Sequence, residues 1–262
     1  MIPIFDSLCH PTLTGKWLGS ELDSTFEKLK KDLKTYGFLG ANAVGIHGVE
    51  NYNHSNFIKK CSKDNSLIPV AGLNVHSKNL KREINEIKNI GYNAVKIHPR
   101  FNKMHYNDTL ADIFKLCSDK NLIVFYCTYV HSEIKYYPSH DPFYYLINIL
   151  KKTPKLKLIL VHGGDIQLLK YAELARFNQN LLLDLSLTIL KYQGSSIDKD
   201  IQFLFKNFDR RICIGTDHPE YSHELLRRKF NSLTLNIDNN KAKNIGYKNI
   251  TKFLGIDFNK LL

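Results

Sequence analysis

Short apolar runs rich in β-branched residues alternate along the chain with longer amphipathic segments, the pattern of repeated βα units rather than of separate α and β blocks. Eight runs have strand length: IPIFD (2–6), AVGIH (43–47), LIPVAGL (67–73), NAVKIH (93–98), LIVFYC (122–127), LKLILVH (156–162), LLLDLS (181–186) and RICIGTD (211–217). The segments between them carry helical spacing. In STFEKLKKDLKTYG, Phe26, Leu29 and Leu33 recur on one face and Gly37 supplies a stop; in NLKREINEIKNIG, Leu80, Ile84 and Ile87 do the same and Gly91 closes the helix. Eight strands with intervening helices predict an α/β fold, a (β/α)8 TIM barrel forming a single domain over 1–262. The runner-up is an open doubly wound sheet, which usually carries fewer strands. No glycine-rich GxGxxG follows the first run, which removes support for a dinucleotide site.

Composition changes this picture little. The chain has 262 residues, 43% hydrophobic and 24% charged, which suits a globular domain able to bury a core. A net charge of +12 favours acidic partners, but the lysines (Lys28, Lys30, Lys31, Lys34, then Lys78, Lys81, Lys88) are spread over predicted helices and no nucleic-acid-binding motif accompanies them. A solvated basic surface and a small-molecule substrate are therefore expected, without specific nucleic-acid binding. Homo-oligomerisation is left open. The five cysteines (Cys9, Cys61, Cys117, Cys127, Cys213) are scattered and include no CxxC pair, which points to a reduced compartment. No signal peptide opens the chain and no apolar run approaches the roughly 20 residues that span a bilayer, so a cytoplasmic protein without a membrane partner is expected.

In a parallel barrel the catalytic groups stand at the strand C-termini and in the loops after them. Seven of the eleven histidines fall there: His10, His47, His76, His98, His131, His162 and His218. Together they suggest one polar, potentially metal-binding mouth. Strand alternation sharpens the choice, because residues two apart share a face. Val95 and Ile97 then face the helices while Lys96 and His98 point inward; Asp184 and Ser186 share the inner face with Leu182, and Asp217 follows Cys213 and Gly215. For His47, His76 and His131 a structural hydrogen-bonding role is the simpler reading. Asp217 and His162 stand in contexts that favour function.

The segments VKIHPRF (95–101), LILVHGG (158–164), ICIGTDHP (212–219) and NIGYKNITKFLGI (244–256), the last with Asn249 ahead of a leucine-rich end, resemble the amidohydrolase-related, TIM-barrel metal-dependent hydrolases in order and spacing across nearly the whole chain. That family carries a DxHxH signature after the first strand, histidines ending strands five and six, and an aspartate ending strand eight. Here the first block reads Asp6-Ser7-Leu8-Cys9-His10, so Leu8 replaces the first histidine, and Cys127 stands where the strand-five histidine would fall. His162 and Asp217 are in place. The resemblance implies either an unusual divalent-metal site, zinc by the family's habit, held by His10, Cys127, His162 and Asp217, or a site that has lost its metal. With metal, a bound water attacks a carbonyl-type carbon, Asp217 acting as base and His162 polarising the carbonyl. Without it, Asp217 activates water directly while His10, His98 and Arg100 hold the electrophile. Lys96, His98 and Arg100 are the expected contacts to a small anionic substrate. The reaction expected is hydrolysis of a C–N, ester or lactone bond; the alternatives are a non-oxidative decarboxylase, with Lys96 and Arg100 as carboxylate clamp, and an inactive ligand-binding barrel.

Overall fold

The computed structural model describes residues 1–104 and 108–257. Among them, eight strands run in chain order: β1 (Ile4–Cys9), β2 (Phe38–Val44), β3 (Leu67–Gly72), β4 (Ala94–Ile97), β5 (Ile123–Cys127), β6 (Leu158–Val161), β7 (Leu181–Asp184) and β8 (Ile212–Cys213). Each pairs in parallel with the next in a single sheet. The ring closes between β8 and β1 through the Cys9–His218 bridge, with Ser7 N donating to Ile214 O (3.0 Å) and Asp217 N to Leu8 O (3.0 Å). Gly215 makes this closure feasible, since a Cβ there would lie 2.5 Å from Ser7 Oγ and 2.9 Å from Leu8 N.

The helices are α1 (Phe26–Thr35), α2 (His54–Cys61), α3 (Leu80–Ile90), α4 (Asp108–Asp119), α5 (Pro142–Lys152), α6 (Leu168–Arg176), α7 (Thr188–Lys191), α8 (Ser196–Asn207), α9 (His223–Thr234), α10 (Asn239–Lys243) and α11 (Asn249–Leu254), with a π-helical turn at Asn244–Lys248. Their starts follow local chemistry. Thr25, Asn79 and Ser222 each cap a free amide of the first turn, and Gly91 ends α3 in the left-handed conformation that its missing Cβ permits.

Burial separates two apolar layers. Phe5, Leu8, Val44, Val70, Phe125, Ile159 and Leu182 fill the barrel interior, and Ile250 of α11 joins them. Val95, Ile97, Tyr126, Leu158 and Leu160 face outward onto the helices. The interior is therefore a packed core below the mouth rather than a pore. The strand ends differ from the sequence expectation throughout, most at the start of β2 and the end of β8. β2 begins at Phe38 because Gly40 and Asn42, which interrupt the apolar pattern, are strand residues that serve close packing: a Cβ on Gly40 would meet Ser66 O at 2.3 Å, and Asn42 Nδ2 donates to Ser7 O (3.0 Å). β8 shortens to two residues because 214–217 turn to bond β1 instead of extending the ladder. No helix among the described residues is long and apolar enough to cross a membrane.

Candidate active site

Asp217 leaves the end of β8 with φ of 59°, and His162 leaves β6 with φ of 68°. Left-handed backbone is uncommon for residues other than glycine and costs on the order of 1 kcal/mol or more, so two such residues facing one mouth mark a strained functional region. His10 reaches the same point from β1. Its Nδ1 donates to Val44 O (2.8 Å), its Nε2 lies 3.4 Å from Asp217 Oδ1, and its ring stacks on Trp17 with centroids 5.3 Å apart. Trp17 is fixed in turn by donating to Glu220 (2.7 Å). His162 Nδ1 donates to Ser186 O (3.0 Å), which leaves the lone pair of the neutral ring on Nε2.

Burial alone would raise the Asp217 carboxyl, but the charges and hydrogen bonds of His162, His10 and then Lys96 outweigh it and hold the group far below the usual carboxylate range. Asp217 is thus ionised at any working pH. Burial pulls His162 down to about 4, against the opposing pull of Asp217, so the ring is neutral. His98, desolvated and beside Lys96 and Arg100, is held well below its ordinary value, and it accepts from Phe101 N at Nδ1 (3.3 Å), which puts its proton on Nε2.

Lys96 projects from β4 into the mouth. It is 2% exposed, and its Nζ has no hydrogen-bond partner. Burial lowers its pKa despite the attraction of Cys127, Asp217 and Asp184. Asp184, on the same inner wall, accepts from the hydroxyls of Ser7 and Ser186 and from Ser186 N (3.1 Å), and burial raises it to about 6. Arg100 lies further out and exposed, its guanidinium 4.7 Å from the Tyr129 ring centroid. Lys191 of α7 lies 4.2 Å from the same centroid and donates to Tyr129 Oη (2.8 Å).

The chain therefore brings His10, Lys96, His98, His162, Cys127 and Asp217 into mutual electrostatic reach, with Arg100 at the rim. The donors expected for a metal do not suit one. Leu8 packs inside the barrel core, and among the described residues no three of His10, Cys127, His162 and Asp217 bring their ligand atoms within 4.8 Å of one another. The two groups of three donors that lie within 4.8 Å of one another among the described residues are elsewhere: Asp6 with Cys9 and His223, and Asp32 with His218 and His223.

The other strand-end histidines lie at the rim or outside the mouth. His218 lies outward toward His223 of α9, with ring centroids 5.5 Å apart, the side that alternation from the inward Asp217 gives it. His131 pairs with Asp165 (2.9 Å) and Tyr137 (2.7 Å) at the rim, its ring 5.2 Å from that of Tyr129, and His76 bonds Asn102 O (2.6 Å). His47 lines an open cavity of about 470 Å³ with His54, Arg82 and Glu83, away from Asp217. Sequence reasoning did not single out Tyr129 or Lys191. Tyr129 carried a usable signal, lying two residues beyond Cys127 and so on its face. Lys191 carried none, since its position depends on the path of the loop after β7.

The chain is similar to an uncharacterised TIM-barrel protein from Bordetella bronchiseptica (TM-score 0.77, 18% identity, 97% of this chain and 98% of that one). It is also similar to a probable 2-pyrone-4,6-dicarboxylic acid hydrolase from Acinetobacter baumannii with citric acid bound (0.66, 15%, 97% and 99%). A dihydroxybenzoic acid decarboxylase from Polaromonas, with bound manganese and an inhibitor, is a third (0.71, 13%, 97% and 97%). The chain has the (β/α)8 fold. No family model and no curated protein sequence matches it.

Proposed function

We propose that the chain is a hydrolase that cleaves an ester, lactone or C–N bond of a small anionic molecule at this mouth, without a metal there. The observation that carries the reading is the pairing of an ionised, buried carboxylate, Asp217, with an unpartnered buried ammonium, Lys96. An anion entering the mouth gives Lys96 the partner it lacks. Drawing that charge away also removes one of the groups holding Asp217 down, so its basicity rises on binding.

Asp217 then takes a proton from water as the water oxygen attacks the carbonyl carbon, and Lys96 stabilises the oxyanion that forms. His98 Nε2–H is a second donor for the electrophile. Collapse of the intermediate breaks the C–O or C–N bond, and the proton returns from Asp217 to the leaving group. His10, held by Val44 and Trp17, keeps the Asp217 carboxylate oriented. Arg100 and Lys191 supply positive charge at the rim for a second anionic group.

The test is a panel of carboxylated lactones, esters and amides, assayed for product and for carbon dioxide. Hydrolysis is expected, with kcat falling about a hundredfold or more in Asp217→Asn and unchanged by chelator. Carbon dioxide release without hydrolysis, or turnover indifferent to Asp217→Asn, would overturn the proposal.

A further inference from the structure

Outside the barrel wall, where β1 and β8 meet α1 and α9, a second polar cluster is buried that plays no part in the mechanism above. His223 is 0% exposed, His218 3% and Asp32 6%. His223 Nε2 lies 3.2 Å from Asp6 Oδ2, and Asp6 also accepts from Thr216 Oγ1 (2.7 Å) and from the amides of Leu8 and Thr216 (both 3.1 Å). A carboxylate anchored in this way holds the imidazole proton on Nε2 and leaves a lone pair on Nδ1, the arrangement that orients metal-binding histidines from behind. His223 Nδ1 has no hydrogen-bond partner; Asp32 Oδ2 stands 3.8 Å away. His218 Nε2 is likewise buried and without a partner. One ligand atom from each of Asp32, His218 and His223 lies within 4.8 Å of the other two.

Two buried imidazole nitrogens without hydrogen-bond partners, on residues that gather beside a carboxylate, are costly as a hydrogen-bonding arrangement and suited to a donor set. Two nitrogens and one carboxylate oxygen are donors that zinc and its neighbours accept. We propose that Asp32, His218 and His223 form a binding site for a borderline divalent transition metal such as zinc, at the seam that closes the barrel and separate from its mouth. Asp32 comes from α1, His218 from the turn after β8 and His223 from α9, so an ion there ties the first and last βα units together. Lys28, one turn before Asp32 on α1, contacts the same carboxylate oxygen through a side chain 41% exposed. Such a pair is weak, and the ammonium can leave at little cost when a metal arrives.

The test is calorimetric titration of chelator-stripped protein with zinc chloride, repeated with cobalt chloride for the visible spectrum. One zinc per chain is expected, together with a raised Tm. Lys28→Ala, an exposed change that leaves all three ligands in place, should bind zinc about two- to fivefold tighter because its competitor is gone. His218→Ala should bind about tenfold weaker or worse; if that variant does not fold, the Lys28→Ala comparison decides. Asp217→Asn should bind zinc as the parent does. Absence of zinc uptake overturns the proposal and leaves His223 as an imidazolium between Asp6 and Asp32. Uptake indifferent to Lys28→Ala, or abolished by Asp217→Asn, overturns it also.

Discussion

At the scale of single residues, Lys96 is the position where stability and function oppose each other most directly. Burial costs its ammonium more than Cys127, Asp217 and Asp184 return, because no hydrogen bond accompanies their attraction. Lys96→Met keeps the length of the side chain and removes the charge. The variant is expected to be more stable by about 1–3 kcal/mol in urea unfolding and to lose about a hundredfold in the proposed hydrolysis. A less stable variant would show that Lys96 is structurally paired. Lys96 and Asp217 were legible from alternation, in step with Ala94 and Cys213 on the inner face. His162 was not, because it is out of step with the inward Ile159 and Val161 and its left-handed backbone turns it to the mouth; alternation puts His218 outside but cannot show its neighbour on α9.

At the scale of elements, the closing segment shows how a helix without a long amphipathic pattern is held. Asn249, at the start of α11, donates through Nδ2 to Asp209 O (2.6 Å) and Ile212 O (2.8 Å), which pins the helix to β8 and lets Ile250 enter the barrel interior. Asn249→Ala leaves both carbonyls without this donor and is expected to cost about 1–3 kcal/mol, measured as a lowered denaturation midpoint. A midpoint unchanged within error would mean that packing of Ile250 holds α11 by itself. The position of Asn249 stood out in the sequence, whereas its two carbonyl partners, 40 and 37 residues earlier, did not. The early start of β2 was hidden for a related reason. Gly40 and Asn42 look like loop residues locally and become strand residues only when Ser66 and Ser7 lie beside them.

At the scale of the whole molecule, buried carboxylates make stability depend on pH, and Asp184 allows the sign to be followed. Its folded value of about 6 lies above the 3.8 of a free aspartate, chiefly through burial, so its stabilising protonated state is present below pH 3.8 and is lost as pH rises through 6. Asp184→Asn has no such loss. Relative to the parent it should therefore gain about 2 kcal/mol between pH 4 and pH 7, read from urea unfolding at both values; a difference that stays constant would show that Asp184 is not raised. His162, lowered to about 4 by burial, acts oppositely in both proteins and cancels in the comparison. The alternating pattern by itself determined the (β/α)8 architecture and the inward face of β4 and β7, because burial on a strand has a period of two and each βα repeat stands alone in the sequence. The tertiary structure decided what that pattern cannot encode: that Lys96 finds no hydrogen-bond partner, that His10, Cys127, His162 and Asp217 do not draw together as a ligand set among the described residues, and that Asp32, His218 and His223 meet at the seam. Those outcomes depend on contacts between residues as much as 191 positions apart, and closing the ring of strands is what brings them within reach.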